Sequence, residues 1–115
     1  MSNNTTRGER VQAWAEALAK CPALILGLSD ANAWPIRIMT SPDDDPQVAI
    51  QCNHPAYFQA WCRREDIKTD IKEFGVGLYP WIAQTEPIGG ILVECLLTDD
   101  EKEAWENDIY PRDPA

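Results

Sequence analysis

Residues 34 to 52, Trp34-Pro-Ile-Arg-Ile-Met-Thr-Ser-Pro-Asp-Asp-Asp-Pro-Gln-Val-Ala-Ile-Gln-Cys52, hold two runs of alternating polarity on either side of a loop rich in proline and aspartate. Ile36 and Ile38 alternate with Arg37 and Met39, and Val48, Ile50 and Cys52 alternate with Gln47, Ala49 and Gln51. Successive side chains of a strand point to opposite faces, so this period marks two strands with one buried face each. Pro42 and Pro46 prevent either strand from continuing through Ser41 to Pro46, because proline has no N–H to give to a ladder. The stretch therefore predicts an antiparallel hairpin, and a hairpin with one apolar face needs helices to cover it.

Upstream, Val11, Trp14, Leu18 and Cys21 recur at helical spacing, which predicts a helix over Arg7 to Lys20. Thr6 and Glu9 stand in capping-box positions at its start, and Pro22 is read as its stop. Ala23 to Leu28 is an apolar run of strand length, followed by the turn-rich residues 29–32.

Downstream, Asn53 or His54 caps a second helix with Pro55 in its first turn. Its stripe is Tyr57, Ala60, Trp61, Ile67, Ile71 and Phe74, with a break expected near Arg63 to Asp66 and Gly75 as a left-handed C-terminal cap. Val76 to Gln84 and Ile88 to Leu97 read as a hairpin around Thr85-Glu86-Pro87, and Pro80 marks the first of the two as an edge or bulged strand. Thr98 and Glu101 form a second capping box, and the last helix runs to about Asn107. The predicted order is α-β-β-β-α-β-β-α: an α+β fold with a mainly antiparallel five-stranded sheet and helices on one face. Residues 1–115 read as a single domain, with 1–5 and 111–115 loosely held.

The chain has 115 residues, 44% apolar and 25% charged, which are the proportions of an ordered globular domain. The longest near-continuous apolar stretch in this reading, Ile88 to Leu97, is interrupted by Glu94 and falls short of the roughly 20 residues a membrane span needs. The polar start MSNNTTRGER carries no secretory signal, so a cytoplasmic location is expected. Cys21, Cys52, Cys62 and Cys95 are widely spaced and lie beside apolar residues, the usage of free packed thiols.

Thiolate and imidazole are the usual ligands of zinc, which makes Cys52, His54, Cys62 and Cys95 the weak metal candidates, but the close C-x-x-C pairs of structural sites are missing. Cys–His catalysis would need His54 as base, and no third orienting group is identifiable. Asp43, Asp44 and Asp45 lack the spacing of a calcium loop. Gly75, Gly77, Gly89 and Gly90 fit no phosphate-binding motif. The chain is thus read as non-enzymatic and without a cofactor.

Charge says more. The run Thr98 to Ala115 has seven acids (Asp99, Asp100, Glu101, Glu103, Glu106, Asp108, Asp113) against Lys102 and Arg112, a net −5 of the chain's −9. Such a charge disfavours contact with nucleic-acid phosphates and anionic membranes. Asp99, Asp100 and Glu101 stabilise the dipole of the helix they open; Glu103, Glu106 and Asp108 have no such role. Together with the aromatics Trp105, Tyr110, Tyr79 and Trp81, they form the candidate partner-binding residues. The partner expected is another protein with a basic or apolar patch, which makes the chain an adaptor, inhibitor, immunity-type protein or nucleic-acid mimic. In element order and acidity the chain resembles the small acidic chaperones that hold type III secretion effectors. That resemblance implies an edge strand around Tyr79 to Ala83, or an apolar helix face, that binds an extended polypeptide, and a homodimer.

Overall fold

The hairpin read from residues 34–52 is present in the computed structural model, which describes residues 6–108. Residues 1–5 and 111–115, expected to be loosely held, lie outside that range. The described residues form α1 (Arg7–Asp30), β1 (Pro35–Thr40), β2 (Val48–Cys52), α2 (Pro55–Arg64), β3 (Thr69–Glu73), β4 (Trp81–Thr85), β5 (Ile91–Leu97) and α3 (Asp99–Glu106). The fold is α+β, and the sheet order is β1-β2-β5-β4-β3. Three pairings are antiparallel, as expected, but β2 and β5 run parallel, so the sheet is mixed.

The strand register sorts the side chains. Val48, Ile50 and Cys52 lie beside Ile91, Val93 and Cys95, and Ala83 and Trp81 beside Cys95 and Leu97. This face joins Ala17, Cys21 and Leu28 of α1, Phe58, Trp61 and Cys62 of α2, and Trp105 of α3 in one core, so all three helices cover the same side. Phe58 is fully buried, with its ring centroid 6.2 Å from Trp61 and 5.8 Å from Trp105; removing such a side chain from water contributes about 1.5–3 kcal/mol.

Five expectations are corrected. The apolar run Ala23 to Leu28 is the second half of α1, so the first predicted strand does not exist and the order becomes α-β-β-α-β-β-β-α. Pro22 lies inside this helix with its ring on the exposed side. It gives no N–H to the ladder, yet Ala17 and Cys21 before it and Leu28 after it enter the same core; tertiary packing outweighs the local penalty. The second helix ends at Arg64, within the break expected near Arg63 to Asp66, but it does not resume: Ile67 to Glu73 continues as loop and edge strand, where Thr69 and Ile71 are half-buried and Asp70 and Lys72 are exposed. Gly75 therefore follows a strand and caps no helix. Finally, β4 starts at Trp81 and pairs on both sides, so it is an interior strand, and Pro80 sits just before it.

Left-handed residues terminate the helices. Asn32 (φ 64°), Asp66 (φ 56°) and Asp108 (φ 57°) each follow a C-cap. At α1, Asn32 N–H donates to Ser29 O and Ala33 N–H to Leu28 O; at α2, Asp66 N–H donates to Arg63 O and Ile67 N–H to Cys62 O. These are Schellman turns, which satisfy the last carbonyls of a helix. Both predicted capping boxes are formed, Thr6 with Glu9 and Thr98 with Glu101.

The loop of the β1–β2 hairpin is tied to α1: Gln47 Nε2 donates to Arg10 O and Pro42 O, each at 2.9 Å, and Arg10 Nη2 to Pro42 O at 2.9 Å. Gly89, at φ 58°, lets the β4–β5 turn approach α1 closely, where a Cβ would lie 2.9 Å from Lys20 Cδ.

By length and composition, α1 is apolar enough to cross a membrane, with 24 residues and a window of mean hydropathy 1.2. Its length, not a higher hydropathy, distinguishes it from Ile88 to Leu97, and here α1 lies with one face on the core.

Because Pro22 is exposed within a continuous helix, Pro22→Ala should raise stability by about 1–3 kcal/mol. The check is the urea midpoint of unfolding, and an unchanged or lower midpoint would mean that the helix is interrupted there.

Candidate functional site

The parallel pairing of β2 with β5 brings the carboxyl ends of both strands to one edge of the sheet, where the chain enters α2 and α3. Antiparallel neighbours begin at that same end, β1 at Pro35 and β4 at Trp81. A pocket of about 200 Å³ lies there, walled by Ile36, Pro55, Tyr79 and Leu96 and carrying the polar side chains of Gln51, Asn53, His54 and Glu101, with Cys52 in its floor.

Each of these residues has a local reason for its position. Ile36 sits where the β1–β2 register shifts between Pro35 and Arg37 and is 58% exposed. His54 is the N-cap of α2, left-handed at φ 59° and ψ 74°, with no side-chain capping bond, and its ring meets Tyr57 edge-on at 6.0 Å. Glu101 is fixed by its capping box, where Oε1 accepts from Thr98 N–H at 2.8 Å.

On the helix-free face of the sheet, the register lines up Arg37, Gln51, Glu94, Gln84 and Asp70 across all five strands. Glu94, 6% exposed, accepts from Gln51 Nε2 at 3.3 Å and from Gln84 Nε2 at 3.1 Å. A carboxylate only accepts, so Glu94 fixes the amide of Gln51 with its NH₂ toward the row and its carbonyl oxygen at the other end. Asn53 Oδ1 is buried with no hydrogen-bond partner among the described residues, an unmet acceptor that costs about 1–3 kcal/mol.

The residues proposed from sequence are placed unevenly. Tyr79, 44% exposed, lines the pocket, and it closes a loop in which Phe74, Val76 and Leu78 are 56%, 100% and 71% exposed. Trp81 is half-buried, donates from Nε1 to Asp99 Oδ1 at 2.8 Å, and lies under Lys102 Nζ at 4.4 Å. Trp105 is 8% exposed and packs into the core beside Phe58. Glu103, Glu106 and Asp108 are exposed; Glu106 pairs with Lys102 and Asp108 with Arg63. Tyr110 lies outside the described residues. Gln51, Asn53, Leu96 and Glu101 were not singled out as site residues, and nothing in sequence links them, because only the parallel pairing brings them together.

Among the described residues, no group of three His, Cys, Asp or Glu is arranged to hold a metal. Cys52 and Cys95 are register partners on the core face, and Cys62 is buried there with them, whereas His54 is exposed. Burial, with a smaller push from Glu94, raises the Cys52 thiol to about 12; burial, with Cys52, raises Cys62 to about 12. Burial raises Cys95 as well. Thiols held protonated are weak nucleophiles and weak metal ligands. Compared with protein-family models, curated proteins and solved structures, the chain matches none of them. Its fold and pocket define it as a small acidic α+β domain with one helix-covered and one helix-free sheet face.

The unfolded thiol ionises near 9.0 and the folded Cys52 and Cys62 near 12. Between those values the unfolded chain binds fewer protons, so the thiol contribution to stability is complete below pH ~9 and is lost as pH rises toward ~12. A chemical-denaturation midpoint that falls over this window checks the sign. In the folded protein, a disulfide reagent at pH ~8 should leave Cys52, Cys62 and Cys95 unmodified until denaturant is added, and their rapid modification would contradict this burial.

Proposed function

We propose that the chain is a non-enzymatic protein-binding module whose acidic and aromatic surface engages a basic or apolar patch on another protein. The observation that carries this reading is the meeting, in one pocket, of Tyr79 from the exposed apolar loop and Glu101 from the acidic helix α3. Tyr79 was a candidate from sequence, and Glu101, which was read as a capping residue, links it to the start of the helix that carries the acidic candidates Glu103 and Glu106.

Electrostatics supports a basic partner. The chain carries a net −9, and α3 adds exposed Asp100, Glu103 and Glu106 to it. A field of this sign speeds encounter with cationic surfaces and repels phosphate-bearing ones. The exposed side chains from Phe74 to Tyr79 supply the apolar area that charge alone does not, and aromatic anchors beside charge are what tight interfaces use. Trp105 serves this surface indirectly, by holding α3 on the core.

The neighbourhood of the thiols gives the enzymatic alternative less support. Cys52, Cys62 and Cys95 are buried and held protonated, while His54 stands in the exposed helix start.

The test is a pull-down from source-cell extract with the wild-type chain, with Tyr79→Ala, and with a triple variant in which Glu103, Glu106 and Asp108 are made amides. The wild type should retain a stoichiometric protein that salt elutes, and both variants should lose it by about tenfold or more while keeping the wild-type circular dichroism spectrum. Equal retention by all three would overturn the acidic-aromatic surface as the binding site.

A further inference from the structure

We infer that the open edge of β1 pairs with the same edge of a second copy of this chain. The two strands run antiparallel about a two-fold axis at Met39, so that two five-stranded sheets become one continuous sheet. The inference is independent of the acidic-aromatic reading.

Three observations select this edge and this occupant. First, the backbone of β1 carries outward groups in a self-matching pattern. Ser41 N–H donates to Gln47 O, which makes these two a hydrogen-bonded pair. Bonded and non-bonded pairs alternate along an antiparallel ladder. Residues 37, 39 and 41 therefore bond inward to β2, and Ile38 and Thr40 turn their N–H and C=O outward, where no further strand follows among the described residues. An axis at Met39 sets Ile38 of each copy against Thr40 of the other, and every one of these outward groups then finds a partner.

Second, β1 lacks the guards that exposed edges carry. Charged side chains on an edge strand discourage pairing with another chain. The opposite edge, β3, has Asp70, Lys72 and Glu73 all exposed. By contrast, Trp34 just before β1 and Ile36 and Ile38 within it are 51%, 58% and 44% exposed, and Arg37 is the only charge on the strand. Trp14 and Arg10 of α1 hold the end of this strand through Thr40 Oγ1 and Pro42 O, yet Thr40 itself stays exposed.

Third, charge and proline select the register. With the axis at Met39, Arg37 of each copy lies opposite Ser41 of the other, beside the loop that carries Asp43, Asp44 and Asp45. A cation thus meets an acidic loop twice, as a self-complementary interface requires. An axis at Arg37 would place two guanidinium groups opposite each other. An axis at Thr40 would set Ile38 against Pro42, which has no N–H to give. The acids of α3 stand away from this contact, since α3 follows β5, two strands in from the edge.

The test is sedimentation velocity on the purified chain. At ~100 µM it should sediment as a dimer. Arg37→Glu and Ile38→Lys, both at exposed side chains, should each weaken association about tenfold or more while keeping the wild-type circular dichroism spectrum. Mixing Arg37→Glu with a variant carrying Asp43→Lys, Asp44→Lys and Asp45→Lys should restore a mixed dimer.

Met39→Cys tests the axis. Non-bonded antiparallel partners have Cα atoms about 4.5 Å apart, within reach of a disulfide. Oxidised glutathione should therefore convert this variant to a covalent dimer, the two thiols giving up two protons and two electrons as the glutathione disulfide is reduced. Glu73→Cys, on the β3 edge, should cross-link at least about tenfold more slowly, and the four native thiols are buried. A chain that stays monomeric at ~1 mM would overturn the inference and leave the edge to a foreign strand. Association unchanged by both Arg37→Glu and Ile38→Lys, or equal cross-linking of Met39→Cys and Glu73→Cys, would overturn it as well.

Discussion

The parallel pairing of β2 with β5 is the constraint from which the rest of the architecture follows. Parallel strands cannot be joined by a tight turn, and the chain between these two must travel back along the sheet before β5 can begin. It does so through α2, then the edge hairpin β3–β4. Because β2 and β5 point the same way, the helices that follow them start at one end of the sheet and lie on one face. Phe58 and Trp105 therefore meet in the core that Cys95 and Leu97 share, and Gln51 and Leu96, on the other face, line one pocket with Glu101. The core and the pocket are two consequences of one register.

The same register explains why a carboxylate is tolerated at the centre of the sheet. Glu94 lies on β5, the middle strand, and is nearly buried by its neighbours. Isolated, it would be costly, but the two amides opposite it donate to both of its oxygens, and hydrogen bonds to a charged acceptor are worth about twice those between neutral groups. The row holds three strands in one register, since a slip by one residue would turn Glu94 into the apolar core. It also orients the amide of Gln51, whose NH₂ points to Glu94.

What the sequence made legible followed from short-range physics. The hairpin at 34–52, both capping boxes and the strand through Val93 and Cys95 rest on patterns of two to four residues, and all are present. The failures arose where two local readings compete. Ile67 and Ile71 are spaced as helix neighbours, yet with Thr69 they also alternate as a strand, and the Schellman turn at Asp66 decides between the two. Asparagine and aspartate tolerate the left-handed region better than most residues, and Asn32 and Asp66, which lie in the expected turn at 29–32 and the expected break at 63–66, end their helices where Pro22 and Gly75 do not. At Pro22 the local rule was sound but outvoted, because α1 gains more from seating both of its halves on the sheet than it loses at one exposed residue.

The site was legible only in pieces. Tyr79 and the acids of α3 stood out by composition, since aromatics and unneeded charge are visible without a fold. Gln51, Asn53 and Leu96 have ordinary neighbours, and their importance comes from a strand pairing that spans more than forty residues, from Gln51 to Glu94. The structure also separates residues that composition had grouped: Trp105 belongs to the core, Trp81 to the junction of β4 with α3, and Tyr79 to the pocket. Three aromatics of similar chemistry thus have different tasks because the chain turns between them. With Trp81 held by its bond to Asp99 and Trp105 packed in the core, Tyr79 is the one of the three left to the pocket, where it shares the lining with the His54 ring.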